Sequence, residues 1–320
     1  MADVDFGVLN EPNLPQGQAD VLRILEGTLN SSNDPATAAT KLADDLRQFF
    51  ISSGSEDAAS GLLWDLWMML LDAVRIVPID HPWHETLIAA VKELRLNGGS
   101  VAGLEDNSTL QWGDLPHLSM YLFDKWADPT DFDEYTPEDI ETWKRFNSFA
   151  SRLLSDDFTQ WIVLPYWEIR ATLETAPQEV SVFECKLWVA TEWLARCGQL
   201  LYKDMASTDA LTEREQASIA PGPLCKDIPP RSLERWNFWR SRLTELSRAD
   251  PSAEDRVEQP PLSDESLSRI TQAIGLMDEA QGSSQGRDLE GSGDTAESAC
   301  RVEDHGIEDT KDEKIMETEK

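Results

Sequence analysis

The stretch GLLWDLWMMLLDAVRIVPIDHPWHETLIAAVKELRL, from Gly61 to Leu96, decides the fold. Its first half, Leu62–Val77, is apolar except for one arc of less than ~90° on a helix. That arc holds Asp65, Asp72 and Arg75. A helix that is apolar in every other direction is either a core helix or a membrane span. This run is shorter than the ~18 residues that a span needs, so it predicts a central buried helix.

A second helix follows the first after a short turn. Proline crowds the preceding residue out of the α region, so Val77-Pro78 ends the first helix. Asp80 offers a cap for the next helix and Pro82 a first-turn proline. The apolar side chains at helical spacing in this second helix are Leu87, Ile88, Val91 and Leu94. The two helices are predicted to form a helical hairpin.

The rest of the chain repeats this helical pattern. Apolar residues recur at helical spacing, and no run alternates with period two over a useful length. Capping side chains mark further helix starts at Asp34, Asp114, Thr136 and Ser232. The pattern predicts an all-α protein, a single multi-helix bundle or array of about nine or ten helices followed by a disordered acidic C-terminal tail.

The composition of the chain predicts where its helical domain begins and ends. Residues 1–16 contain prolines and no helical period, so we expect a flexible arm there. Residues 17–280 are predicted to form one all-helical domain, with an acidic, proline-broken linker at 250–262 and a docking helix at 263–280. Residues 281–320 are rich in Gly, Ser, Glu, Asp and Lys, which cannot bury enough apolar surface to become ordered.

Charge and cysteine content narrow the classes of function. The 320 residues include 60 acidic and 28 basic side chains, a net charge of −32, which disfavours unaided binding to nucleic acid or to an anionic membrane. Cys185 and Cys197 are expected on one helix, ~18 Å apart, so they cannot pair with each other. The start MADVDFGVLNEPN has neither a basic nor an apolar secretory segment. We therefore expect a soluble protein with reduced cysteines in the cytoplasm or nucleus.

The turn between the two opening helices has the densest set of reactive side chains. His81 and His84 are three residues apart and Glu85 follows, so with His117 from another helix they offer a conceivable metal or acid–base site, with Asp114 near its mouth. A structural turn between helices is the favoured interpretation, because the sequence has no HExxH motif and no cluster of Cys and His. No metal and no cofactor is predicted.

Tryptophans suggest where a pocket could lie. Trp64, Trp67, Trp112 and Trp126 could line an apolar pocket, although aromatic residues at helical spacing more often belong to a core. The acidic loop DPTDFDEY, residues 128–135, is similar to a calcium loop only in its carboxylates, because the glycine and the terminal glutamate of that motif are missing.

The order of the motifs resembles a family of fungal proteins grouped as domain of unknown function 3632. The matching pieces are LLWDLWMMLLDAVRIVPIDHPWHETLIAAVKEL (62–94), LQWGDLPHL (110–118), WKRFNSFASRL (143–153), LWVATEWLARCGQLLY (187–202) and SLERWNFWRSRL (232–243). A terminal amphipathic helix completes the series, so the resemblance spans about residues 40–280 with its core at 40–248. It implies an all-helical protein, without an established activity, substrate or catalytic residue. It departs at His84, where we expect glutamine in the family.

Two functions remain open at this point. The absence of a nucleophile motif, a phosphate loop and a metal cluster favours a non-catalytic interaction or scaffold protein with an unknown protein partner. The alternative is an enzyme or small-molecule-binding protein with a tryptophan-lined pocket near the Asp80–Glu85 turn. Convergent polar groups around a cavity would favour the second, and an exposed apolar groove the first.

Overall fold

The all-α prediction is confirmed. A computed structural model describes residues 4–30, 34–103, 110–176, 179–248 and 262–290, and within these ranges there are isolated β-bridges but no β-strand. The α-helices are α1 (Gln16–Leu29), α2 (Pro35–Ile51), α3 (Glu56–Ile76), α4 (Pro82–Asn97), α5 (Leu118–Asp124), α6 (Pro137–Leu153), α7 (Val163–Leu173), α8 (Val180–Ala206), α9 (Glu213–Ser218), α10 (Leu233–Ser247) and α11 (Asp264–Glu290). The short α9 lies in a segment without apolar periodicity, which is why it was not predicted.

Three helices, α2, α6 and α10, begin at the capping residues that the sequence indicates. The Asp34 carboxylate accepts a hydrogen bond from the Thr37 amide at 2.9 Å. Thr136 and Asp139 form a capping box in which each side chain accepts from the other's backbone amide. These contacts satisfy amide groups that the first turn of a helix leaves unpaired, so they fix where each helix starts.

Helix α3 lies at the centre of the first half of the chain, as its apolar surface predicts. It packs against α1, α2, α4, α5 and α6. Its polar arc stays partly exposed, and the Asp72 carboxylate is paired with the Arg75 guanidinium at 3.5 Å, one helical turn away. Asp72 and Arg75 thus form a local ion pair on the surface of α3.

The predicted hairpin of α3 and α4 is wrong in its packing. The two helices meet only to a small extent, and α4 packs most extensively on α2. Buried alanines on α2, among them Ala39 and Ala43, present little side-chain bulk, so the larger apolar face of α4 can approach closely. The hairpin is thus a turn between two helices that have different main partners.

Helix α8 plays the corresponding role in the second half. It packs against α6, α7 and α10, while α6 also contacts α3 and α4. Helix α6 therefore joins the two groups of helices. Its C-terminal half buries Asn147, Ser148 and Ser151, which are polar residues with hydrogen-bond partners.

Two predicted helix starts are wrong. His81, rather than Asp80, is the N-cap of α4, because its Nδ1 accepts from the Trp83 amide at 3.2 Å. Asp114 belongs to a short 3-10 helix, Trp112–Asp114, and α5 begins only at Leu118. The segment before α5 therefore turns instead of continuing as a helix, and Trp126 lies beyond the end of α5.

Both chain ends contact the core within the described ranges. Phe6 in the predicted N-terminal arm is 3% exposed and stacks on Trp83 at 5.3 Å between ring centroids. Helix α11 buries Ile270, Ala273, Met277 and Ala280, and it continues past residue 281 to Glu290. Residues 250–261 of the predicted linker and 291–320 of the predicted tail lie outside the described residues. No helix in the described part of the chain is long and apolar enough to span a membrane.

Candidate functional site

The predicted residues at the turn before α4 have separate structural contacts. His81 caps α4, and its ring lies edge-on to Trp83 at 5.0 Å. Glu85 is exposed and forms an ion pair with Arg152 on α6. His84 is 0% exposed. These three side chains therefore point to different environments and do not form one site.

His84 is the unusual member of this group. Both ring nitrogens are buried without a hydrogen-bond partner among the described residues. Burial lowers the pKa of His84 to about 4, and the positive charge of Arg152 acts in the same direction, while Glu192 and the Val77 carbonyl oppose them. The Val77 carbonyl lies near the ring without hydrogen-bonding geometry. His84 is thus a neutral, buried ring at physiological pH.

His117 lies elsewhere, beside the N-terminal half of α3. Its Nε2 is 3.0 Å from the Ser60 hydroxyl, and its ring stacks on Trp64 at 5.1 Å. Leu115 and His117 both have positive φ angles, 45° and 68°, a strained conformation for residues with a side chain. This turn presents the Pro116 carbonyl to the Trp67 indole N–H at 2.7 Å.

The predicted site residues are therefore distributed over three places. Trp64, Trp67, Trp112 and His117 surround the turn before α5, with Asp114 exposed beside them. His81, His84 and Glu85 lie at the start of α4. Trp126 is in a third place. Within the described residues, no group of three or more His, Cys, Asp or Glu is arranged to hold a metal ion.

A cleft does lie next to the Asp80 turn. It has a volume of about 350 Å³, and its lining includes Pro78, Asp80, Lys144, Arg145 and Trp188. We call it the Trp188 cleft. The Lys144 ammonium is paired with Glu141 at 2.8 Å, and the Arg145 guanidinium with Glu138 at 2.7 Å. Its basic groups are thus already engaged by neighbours on α6.

A second cleft combines aromatic walls with a buried carboxyl group. It has a volume of about 320 Å³ and lies between α7 and the loop after α5. We call it the Glu168 cleft. Its lining residues are Trp126, Ala127, Asp128, Asp131, Phe132, Trp167, Glu168, Arg170 and Ala171. Trp126, a member of the predicted tryptophan set, thus lines this cleft.

Glu168 is the most perturbed side chain of this cleft. It is 8% exposed, and its Oε1 accepts a hydrogen bond from the Trp126 indole N–H at 2.8 Å. In the part of the chain that the structure describes, its Oε2 has no hydrogen-bond donor. Burial raises the pKa of Glu168 to about 7, against the effect of the Trp126 hydrogen bond. The carboxyl group therefore exchanges a proton near neutral pH.

An ion-pair network includes two of the residues that line the Glu168 cleft, Asp128 and Asp131. The Lys186 ammonium, on α8, donates to Asp131 at 2.8 Å and lies 3.7 Å from Asp128. Asp128 also accepts from the Thr130 amide at 2.8 Å. The two aspartates, which belong to the acidic loop noted in the sequence, add to the rise in the Glu168 pKa, and Lys186 opposes it.

A second buried carboxylate lies close to Glu168 in sequence but is fully paired. Glu174, just after α7, accepts from Arg235 Nε at 2.6 Å, from Trp239 Nε1 at 2.5 Å and from the Gly222 amide at 2.5 Å. Arg235 in turn donates to the Ile219 and Pro230 carbonyls. The hydrogen bonds from Arg235 help to hold the pKa of Glu174 below its usual value despite burial. This group joins α7 to α10.

A third buried carboxylate holds α11. Glu192 accepts from Ser148 at 3.1 Å, from Arg196 at 3.0 Å and from Arg269 at 3.0 Å. The Arg269 guanidinium also lies 4.2 Å from the Trp188 ring centroid. Arg269 thus connects α11 to α8 by an ion pair and a cation–π contact.

Sequence reasoning missed Glu168. The residue lies in the apolar run WIVLPYWEIRATL, residues 161–173, where it is the single acidic side chain. A lone carboxyl group on an apolar helix must find a partner or hold its proton, so this isolation was the available signal. Lys186 could not be found in the same way, because its partner aspartates come from a distant loop.

Comparison with known proteins agrees with the resemblance seen in the sequence. The profile of the family described as "Protein of unknown function (DUF3632)" matches residues 67–243. Comparison with curated proteins and with solved structures found no match. The match spans more than half of the chain and includes α4 to α9 together with Trp126, Glu168, Glu174 and Glu192. The chain therefore belongs to the DUF3632 family of proteins of unknown function.

Proposed function

We propose that this protein binds a small polar molecule in the Glu168 cleft. The observation that carries the proposal is a buried carboxyl group that titrates near pH 7 and faces a cleft walled by Trp126 and Trp167. Clefts of about 300 Å³ or more with a few convergent polar groups are typical ligand sites. A carboxyl group with this pKa can also exchange a proton with a bound molecule.

The proposal develops the small-molecule alternative from the sequence and places it away from the Asp80–Glu85 turn. Trp188 in the cleft near that turn is already covered by Lys144 and Arg269, with distances of 5.6 and 4.2 Å to the ring centroid. In the Glu168 cleft, by contrast, one carboxylate oxygen has no donor among the described residues, and no described lysine or arginine lies over the ring of Trp126 or Trp167. We therefore favour the Glu168 cleft.

Ligand-observed NMR with a mixed fragment library tests the proposal. The variants Ala171→Trp and Ala127→Trp each place a large side chain on the cleft lining, and Ala58→Trp makes the same change on the exposed face of α3. We expect fragments that bind wild type and Ala58→Trp to lose binding to both cleft variants. Thermal unfolding checks that each variant folds, and using two cleft variants guards against one that does not.

Fragment binding that is unchanged in both folded cleft variants would refute the proposal. The absence of any bound fragment in wild type would refute it as well.

The interaction or scaffold function that the sequence favours stays a prediction. Native mass spectrometry of the purified protein tests it directly, because a protein partner and a retained small molecule give different mass increments. Location in the cytoplasm or nucleus and a fungal source also stay predictions. Cys185, Cys197 and Cys225, which are free and buried, are compatible with a reducing compartment.

A further inference from the structure

We propose that the Glu168 cleft is a site for a small organic cation, an amine or quaternary ammonium group held between the aromatic walls and the free oxygen of Glu168. This inference rests on the proposed function and names the chemical class of its ligand.

Each side-chain donor group near this cleft already makes at least one hydrogen bond or ion pair. The Trp126 indole N–H donates to Glu168, and the Trp167 indole N–H donates to the Ser218 carbonyl at 2.8 Å. The Lys186 ammonium is engaged by Asp131 and Asp128, and Arg170 donates to the Ala220 carbonyl at 3.0 Å. The acceptors, in contrast, include a Glu168 oxygen with no donor among the described residues. A ligand that brings its own N–H donors or positive charge therefore fits better than an acceptor.

The charge balance also favours a cation. Asp128, Asp131 and Glu168 carry three negative charges when Glu168 is ionised, and Lys186 with Arg170 carry two positive charges. One negative charge is then unbalanced, which a ligand with a single positive charge would neutralise. The chain's net charge of −32 raises the local concentration of cations around the molecule.

Aromatic surface supplies the third part of the site. Tryptophan is the side chain that attracts cations most strongly through its ring face. Elsewhere in this protein that attraction is satisfied internally, as it is where Arg269 lies over Trp188 and Arg235 over Trp239. Within the described residues, no lysine or arginine lies over the ring of Trp126 or Trp167. Trp126 packs against Trp143 and Phe146, with ring centroids 4.9 and 5.2 Å away, and Trp167 packs against Phe123 at 5.9 Å. The parts of the two rings that line the cleft are therefore the aromatic surface left for a cation from solution.

Cation binding should be coupled to the ionisation of Glu168. The groups that act on this carboxyl are the Trp126 N–H, Asp128, Asp131 and Lys186, and the neighbouring Cys185 thiol stays neutral because burial raises its pKa to about 12. A cation stabilises the ionised form of Glu168, so binding releases a proton when the pH is below about 7. Affinity should rise as the pH rises from 6 to 8 and then level off.

Protein labelled with ¹⁵N-tryptophan provides the test, because the Trp126 indole N–H reports directly on Glu168. The probe is n-butylammonium, with n-butanol and butyrate as neutral and anionic compounds of equal chain length and sodium chloride as the ionic-strength control. Loss of one resonance in Trp126→Phe assigns the signal. We expect n-butylammonium alone to shift it saturably, and the apparent Kd to weaken about tenfold per pH unit below 7.

Two carboxyl variants make the test specific. Glu168→Gln keeps an acceptor for Trp126 and should lose both the preference for n-butylammonium and the pH dependence. Asp80→Asn neutralises a carboxylate in the Trp188 cleft instead and should behave as wild type.

The outcomes separate this inference from the proposed function. If n-butanol or butyrate shifts the Trp126 resonance as well as n-butylammonium does, the ligand class is wrong while the cleft remains a binding site. The same conclusion follows if neutral or anionic fragments bind the cleft and n-butylammonium does not. If no probe and no fragment binds wild-type protein, both proposals are wrong.

Discussion

Glu168 and Glu174 are six residues apart and both are buried, but their pKa values are shifted in opposite directions. Glu174 has a guanidinium, an indole N–H and a backbone amide around it, and its pKa is lowered. Glu168 has one indole N–H, and its pKa is raised to about 7. A buried carboxylate with full pairing stabilises the fold, whereas one with incomplete pairing remains available to a ligand.

The largest expected change in stability comes from breaking the ion pair between Glu174 and Arg235. Glu174→Gln leaves Arg235 buried without a counter-charge, so we expect a loss of about 3–5 kcal/mol in the free energy of unfolding. Urea denaturation at pH 7 measures it. The matched control is Glu245→Gln, which breaks an exposed pair with Arg242 and should change stability by less than about 0.5 kcal/mol. An equal change in the free energy of unfolding in the two variants would show that the Glu174–Arg235 pair does not stabilise the fold more than an exposed pair does.

The same substitution at Glu168 should have the opposite sign. The unfolded chain loses this proton near pH 4.5 and the folded chain near pH 7, so wild type loses stability as the pH rises between these values. Glu168→Gln removes that loss. We expect the variant to be more stable than wild type by up to about 3 kcal/mol at pH 8 and to differ little at pH 4. A variant that is less stable at pH 8 would contradict this assignment.

His84 extends the comparison to a buried base. Its folded-state pKa of about 4 lies below the ordinary 6.5, so wild type loses stability as the pH falls from 6.5 towards 4. His84→Leu keeps the ring's site filled and removes the titration. Over that interval we expect wild type to lose up to about 3 kcal/mol relative to the variant, measured by chemical denaturation at each pH. If the stability of wild type and of His84→Leu changes with pH in the same way, His84 is not the cause of the loss of stability at low pH.

Glu192 provides an intermediate case because more than one arginine contacts it. Arg269→Met removes the contact from α11 and leaves Arg196 in place. We expect a loss of about 1–2 kcal/mol in stability, with faster hydrogen exchange in α11 than in α10. Arg240→Met, which breaks the exposed pair with Asp278, tests whether loss of any arginine contact to α11 has the same effect. Unchanged exchange in Arg269→Met would show that apolar contacts alone hold the helix.

Local signals in the sequence were sufficient for most of the fold. The apolar run of α3 and the caps at Asp34, Thr136 and Ser232 depend on neighbouring residues, so they can be recognised without a structure. The packing of α4 on α2 depends instead on which apolar faces fit together across the chain. The start of α5 was missed because Leu115 and His117 adopt left-handed conformations that their residue types disfavour.

The candidate site was much harder to predict. His81, His84 and Glu85 are close in sequence, yet the start of α4 separates their side chains. His81 caps the helix, His84 is buried, and the Glu85 carboxylate forms an ion pair with Arg152. The Glu168 cleft combines α7 with the acidic loop after α5, which are far apart in sequence. The sequence marked Trp126 as a candidate pocket residue and the acidic loop for its carboxylates, but it did not bring either of them together with Glu168.

The stack of Phe6 on Trp83 has a consequence for the order of events during synthesis. Phe6 leaves the ribosome long before Trp83, so the buried position that it occupies in the finished protein does not yet exist when it emerges. The segment Phe6–Leu9 also packs on α1 and α3, which are translated before α4. The ring contact of Phe6 with Trp83 can form only after the start of α4 has been made, so this part of the packing is completed late.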